Sequence, residues 1–266
     1  MTNATHASAL PILLYHSVHD DPPSWIATFT VDTRTFANQM DLVKASGRIP
    51  VTARQVVQAL LGGPPLPDSA ILITFDDGFR DFMDNALPAL AARDLPATLY
   101  VTTGALDPVN ASLLPPARMM DIEQVAEAAA AGVEIGAHSH THPQLDTVPR
   151  AVAVTELERS KAELEDALGA AVTTFAYPHG YSDRVVRDLA RQCGYAGAFA
   201  VRNAHSSVHD DPFRIARLML RADTGIDRFA HWLGGTGARV APFPESAATK
   251  LWRSYRKARG VGRSAR

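Results

Sequence analysis

Short apolar runs alternate along the chain with longer stretches in which apolar residues recur every three or four positions. The first kind predicts buried strands and the second amphipathic helices. Ile12–Tyr15 is the first strand. Thr33 or Thr35 is placed to cap a helix carrying Phe36, Met40 and Val43 on one face, and Thr52 opens another with Val56, Val57, Leu60 and Leu61. A Gly/Pro loop from Gly62 to Pro67 leads into a strand over Ala70–Thr74, and a helix over Phe79–Arg93 follows, bent at Pro88. Strand Ala97–Val101, helix Asp121–Ala131 and strand Glu134–Ala137 continue the alternation. The plainest helix is Arg150–Leu168, with Val154, Leu157, Leu164 and Leu168 at helical spacing. Strand Thr173–Ala176, helix Asp183–Gln192, strands Gly197–Ala200 and Leu218–Arg221, and a short helix near Asp227–Leu233 come last. The stretch Leu106–Ala117, with three prolines, reads as an excursion loop rather than a boundary. Repeated β-α units with buried strands imply a parallel α/β sheet, and the pattern fits a barrel and a doubly wound sheet equally.

Composition narrows the class without naming a function. With 266 residues, 46% apolar and 20% charged, the chain is neither disordered, collagen-like nor a coiled coil, and one large domain accommodates its length. Cys193 is the single cysteine, which excludes an internal disulfide and a Cys-rich metal site. A net charge of -2 gives no reason to expect a nucleic-acid partner. Met1 to Ala9 is polar without a basic start, and the apolar run Leu10–Tyr15 is too short for a secretion signal or a membrane span, so a cytoplasmic location is expected. Charge is uneven, however. Lys250–Arg266 holds seven Lys/Arg and no acid, leaving -9 on the remainder. Residues 1–249 are therefore assigned to one domain and 250–266 to a basic tail. That tail, with Trp252 and Tyr255, is read either as a frayed terminus or as a peripheral contact with an anionic inner-membrane face. Lying beyond the last predicted element, it is expected to be dispensable for activity on soluble substrates.

Three polar clusters fall at predicted strand ends, where parallel α/β folds place their active sites. The first is Thr74-Phe75-Asp76-Asp77-Gly78. Adjacent carboxylates repel, and each needs a cation or hydrogen bonds to stay ionised; an Asx-type turn capping the next helix is the plainer reading. The second is His138-Ser139-His140-Thr141-His142. In a helix or tight turn, His138 and His142 share a face, as in i,i+4 zinc pairs, and His140 points elsewhere. Two imidazoles and one carboxylate leave a zinc ion an open position for water. The third, Phe175-Ala176-Tyr177-Pro178-His179-Gly180, is by itself an ordinary loop.

Together these clusters resemble the polysaccharide deacetylase family, also known as the NodB-homology or carbohydrate esterase family 4 group. The resemblance runs from about Ala70 to Ala200, and the opening Leu14-Tyr15-His16-Ser17 fits it too. It implies a distorted (β/α) barrel of seven strands, a divalent metal, and hydrolysis of an N-acyl group on an amino sugar in a saccharide or lipid-linked glycan. Carried over by position, Asp77, His138 and His142 are the implied metal ligands and Asp76 the general base. Zn2+ suits such N/O ligation, and Ni2+ or Co2+ fit the same set. Tyr177, Pro178 and His179 are the implied substrate-binding residues, with the His179 backbone N–H helping to hold the developing oxyanion.

Two departures from the family pattern matter. Its third motif commonly begins with an arginine that orients the base, and here Ala176 stands in that place. The Phe-Ala-Tyr-Pro-x-Gly form resembles a branch acting on exported or lipid-linked glycans. Arg217 is the candidate to supply the missing guanidinium and a substrate contact; a structural surface arginine is the alternative. The family's last motif, an apolar-x-His strand end bearing the general acid, is absent downstream of Ala200. Ile12-Leu13-Leu14-Tyr15-His16 has that form, and first and last strands of a barrel are neighbours, so His16 is the candidate acid, with His205 and His209 next. Competing functions are a deacylase of a non-sugar amide or O-acetyl ester, and a catalytically silent glycan-binding barrel.

Overall fold

The computed structural model describes residues 9 to 263. Seven parallel strands close into a barrel: β1 (Ile12–Tyr15), β2 (Ala70–Phe75), β3 (Thr98–Val101), β4 (Glu134–Ala137), β5 (Thr174–Ala176), β6 (Gly197–Val201) and β7 (Ile215–Met219). Each of β2 to β6 lies beside its chain neighbours, while β1 closes the ring between β2 and β7. Leu13 pairs with Ile73 on one side and Leu218 on the other. The two-residue strand Ile49–Pro50 flanks the start of β2 outside this ring. The pattern alone left barrel and open sheet undecided; the β1 pairings make it a barrel.

Side chains alternate across the wall, as strand pleating requires. Leu13, Tyr15, Ile71, Ile73, Phe75, Leu99 and Val101 pack outward with the helices, while Ile12, Leu72, Tyr100, Ala176, Phe199 and Ile215 fill the interior. Gly136 on β4 is required there, because a Cβ would lie 2.4 Å from the Tyr100 ring. The helix α1 (Thr33–Ala45) is capped by Asp32, which accepts from the Thr35 amide, rather than by Thr33 or Thr35. Thr52 and Gln55 form a capping box on α2 (Ala53–Leu60), whose Val56 and Val57 pack into the interior cluster.

Between β2 and β3 the predicted single helix is shorter and broken. A π-helical turn over Phe82–Ala86 precedes α3 (Leu87–Ala91), and Pro88 stands in the first turn of α3, where a missing N–H costs least. Next come α4 (Ile122–Ala130), α5 (Arg150–Leu168), α6 (Arg184–Gln192) and α7 (Ile226–Leu233). The last barrel strand lies three residues earlier than predicted at its start, because Arg214 and Arg217 interrupt the apolar run that marks it.

The tail is the larger correction. Residues from Ala247 to Arg263 form a helix, α8, which begins before the expected boundary at 250 and docks on the barrel. Arg256 makes a two-pronged ion pair with Asp146 (2.7 Å on each arm), and Lys257 reaches Asp183 at 2.6 Å. Arg253, Arg256 and Lys257, part of a run that reads as solvated, turn toward carboxylates outside the helix. Among the described residues, no helix is long and apolar enough to cross a membrane.

Candidate active site

Strand alternation sets the first layer of the site. His16, Asp76 and His138 each follow their strand by one residue and continue its inward-facing series (Leu14, Thr74 and Gly136), so three strands deliver them to one mouth. The chain then turns sharply. Asp77, Ser139, His142 and His179 all have left-handed backbones, with φ of 76°, 65°, 63° and 58°. Such conformations are costly away from glycine and persist where surrounding contacts enforce them. Here the enforcing contacts are visible. Ser139 Oγ accepts from the His142 amide at 3.0 Å, and Glu156 of α5 accepts from both the Thr141 amide and its hydroxyl at 2.6 Å. The His138–His142 segment is thus a braced turn, not a helix.

Asp77, His138 and His142 come together. Their candidate ligand atoms lie within 4.8 Å of one another and all three side chains are buried. His138 Nε2 is 3.4 Å and His142 Nε2 3.3 Å from the same oxygen, Asp77 Oδ1. His138 Nδ1 is 2.7 Å from the Ala176 carbonyl, which can only accept, so in the neutral ring the proton sits on Nδ1 and Nε2 presents its lone pair to the cluster. Asp77 Oδ1 is buried and has no hydrogen bond. A carboxylate oxygen facing imidazole lone pairs is tolerable only with a positive charge between them. This N2O set therefore fits a divalent ion, and the Ala176 carbonyl gives His138 the outer support typical of a metal-bound imidazole.

Asp76 has a different partner. Its two oxygens receive Arg217 Nη1 and Nη2 at 2.7 and 2.8 Å. Arg217 has 0% exposure and lies behind Asp76 inside the barrel, with Nη1 3.3 Å from Thr74 Oγ1 and its guanidinium 5.5 Å from the Tyr100 ring centre. Arg217 therefore does not face substrate; the predicted substrate contact is corrected, while its guanidinium does lie against Asp76. Burial pushes the Asp76 carboxyl up, but Arg217, His138 and His16 together hold it below its ordinary value. Burial would lower His138, and Asp76 and Asp77 overcome this and raise it.

A cleft of about 500 Å³ opens above these residues. His16, Asp77, His142 and His179 face it, and Leu113–Pro115 from the excursion loop form part of its wall, opposite Tyr181 and Val201. The His16 ring stands 5.5 Å from Phe29, and its buried Nδ1 has no hydrogen bond. Burial lowers its pKa, against the pull of Asp77 and Asp76. His179 is pushed down to about 4 by burial and by His142, whose ring centre is 4.6 Å away. Gly180 brings the chain against β6 where a Cβ would meet Val201 at 2.4 Å.

Other predicted residues lie elsewhere. Tyr177 is the next residue after inward-facing Ala176, so alternation turns it outward; it is fully buried and donates to the Phe213 carbonyl at 2.9 Å. Pro178 is buried as well. Neither can touch a substrate directly. His140 points away, to Thr103 and Glu163. His205 hydrogen-bonds the Trp232 carbonyl, and neither it nor His209 lines the cleft. Sequence reading missed Glu156, whose only signal was a carboxylate on the apolar face of α5.

The model of the family described as polysaccharide deacetylase matches residues 63–198, just over half of the chain. The chain belongs to the polysaccharide deacetylase family. Among curated members, YxkH of Bacillus subtilis (strain 168), named for the same family, is 25% identical over 186 residues, 70% of this chain and 62% of that protein. The poly-beta-1,6-N-acetyl-D-glucosamine N-deacetylase of Escherichia coli (strain K12) is 34% identical over 83 residues, 31% of this chain and 12% of the enzyme. The matches thus span less than two thirds of these relatives. Among solved deacetylase structures, Streptococcus pyogenes PplD in complex with acetate superposes with a TM-score of 0.76 at 24% identity, covering 85% of this chain and 99% of that one. IcaB from Ammonifex degensii gives 0.73 at 24%, covering 85% and 97%. These likenesses establish the barrel as the fold of this family.

Proposed function

We propose that the protein removes an N-acyl group, acetyl being the simplest, from an amino sugar within a glycan. The observation that carries this reading is the pairing of two adjacent carboxylates with opposite surroundings: Asp77 between two imidazole nitrogens, and Asp76 gripped by Arg217. Asp77, His138 and His142 would hold a divalent ion, zinc matching the donors best. When bound, that ion supplies Lewis acidity toward the acyl carbonyl and toward water.

The remaining chemistry belongs to the chain's own side chains. Asp76 takes the proton from the attacking water, and Arg217 keeps its carboxylate ionised and aligned for that task. His16, at the cleft wall with an unbonded Nδ1, passes a proton to the departing amine, which is too poor a leaving group to depart as an anion. The His179 backbone, in its left-handed turn, offers an N–H to the developing oxyanion.

The test is incubation of the zinc-loaded protein with N-acetylglucosamine oligomers, measuring acetate and new amine together. Equal amounts of both, abolished by chelation and restored by zinc, are expected. Hydrolysis of O-acetyl sugars with no amine released from any N-acyl sugar would overturn the reading in favour of an esterase.

A further inference from the structure

Beside the catalytic cleft lies a second cavity of about 360 Å³, walled on one side by α8. Tyr181 and Val201 line both, so the two spaces share a partition. The wall of the second cavity is cationic in an unusual way. Arg202, Arg214, Arg253 and Arg256 line it, against one carboxylate, Glu245. Arg214 and Arg253 both bind that same Glu245. The carboxylates behind the wall, Asp146 and Asp210, have no exposed side-chain surface, so the face offered to a ligand is positive.

Two further features of the wall bear on what it can bind. Arg256 is nine-tenths buried, with both Nη atoms on Asp146 and its guanidinium 3.7 Å from the Tyr181 ring centre, so its charge is held fixed at the wall. On the same wall Trp252 exposes half of its surface, and its indole N–H donates to Tyr181 Oη at 3.1 Å, which holds the ring at the partition. A flat aromatic face beside guanidinium forks suits a pyranose ring bearing a planar acid.

We propose that this cavity is a subsite for a carboxylate-bearing sugar of the same glycan whose neighbouring amino sugar enters the catalytic cleft. The idea rests on the deacylase reading for its glycan context, but binding can be tested without turnover. Tetragalacturonate carries carboxylates and no amide, and its fully methyl-esterified form is the neutral counterpart. By calorimetry, tetragalacturonate should bind with an affinity that falls with salt, and Arg214→Gln should weaken it about tenfold, the worth of one charged hydrogen bond. Glu245→Gln, isosteric and still able to accept from Arg214 and Arg253, should tighten it. Equal binding of the two tetrasaccharides, or shifts of the same direction in both variants, would overturn the proposal. With N-acetylglucosamine oligomers, the Arg214→Gln loss in kcat/KM should be about tenfold larger when a glucuronate is present, and carried by KM. Charge-dependent binding without any amide hydrolysis would sink the deacylase reading and leave the subsite standing. Amide hydrolysis indifferent to charge in substrate and variants would sink the subsite alone.

Discussion

Two buried arginine–aspartate pairs in this molecule have nearly the same geometry and opposite proposed uses. Arg217 grips Asp76 at 2.7 and 2.8 Å, and Arg256 grips Asp146 at 2.7 Å on both arms. Each guanidinium also lies near a tyrosine ring, 5.5 Å from Tyr100 and 3.7 Å from Tyr181 respectively. The difference is the third neighbour. Asp76 has His138 at 3.8 Å, on the side of the reacting groups, whereas Asp146 has a second cation, Arg253, at 3.8 Å. A carboxylate that looks past its partner toward imidazoles can exchange protons; one enclosed by cations can only hold elements together. Fork geometry alone carries no functional information.

Exchanging the aspartates separates these uses most sharply. Asp76→Asn should retain the bound metal and lower kcat by about 10²–10⁴-fold, since only the proposed proton acceptor is lost. Asp146→Asn should leave zinc content intact and loosen α8, read as faster amide hydrogen exchange over residues 247–258. If Asp76→Asn instead lost its metal, the division of labour between Asp76 and Asp77 would fail.

The donor side of the reaction gives the next effect. His16→Ala should slow amide hydrolysis by about 10²-fold or more, yet slow an aryl acetate much less, because a phenolate departs without protonation. Equal losses on both would assign His16 to positioning, and Asp76 would then have a structural neighbour as Asp146 does.

Acid should act on α8 first. Lys257 holds Asp183, and Arg253 with Arg214 holds Glu245, below their ordinary values against the opposing effect of burial. For carboxyls lowered in the folded state, the stabilisation is complete above the unfolded values near pH 4 and drains away as pH falls through the folded ones. Exchange protection of α8 should therefore collapse on acidification before that of the barrel strands. Simultaneous loss would show that the helix is not held by these pairs. The smallest effect is expected for Tyr177→Phe, about 1 kcal/mol of stability from one lost hydrogen bond, with KM unchanged. A raised KM would return Tyr177 to the substrate.

The parts of the fold and site that were legible in the sequence share one property: their signal is local. Apolar runs marked the strands, and the Asp-Asp and His-x-x-x-His spacings marked the cluster. What escaped depends on long-range pairing. Arg217 stood out as the candidate guanidinium, but its place inside an inward strand did not, because its charge is matched by Asp76, 141 residues earlier. Docking of α8 hid because Asp146 and Asp183, which receive its cations, lie in distant loops. Tyr177 was misread for a simpler reason: motif membership was allowed to outweigh the two-residue period that turns its side chain outward.

The packed interior has a consequence for traffic. Leu72, Tyr100, Phe199 and Ile215 have no exposed surface, and Val57 of α2 presses so close to Gly197 that a Cβ there would lie 2.5 Å from it. Among the described residues no passage runs through the barrel, so under the proposed deacylation the small acid formed beside Asp76 would depart by the mouth through which the glycan entered. A long chain lying across that mouth obstructs the exit until it shifts. Escape of the smallest product is then governed by the movement of the largest, and chain length can set the pace of turnover without touching any bond-breaking step.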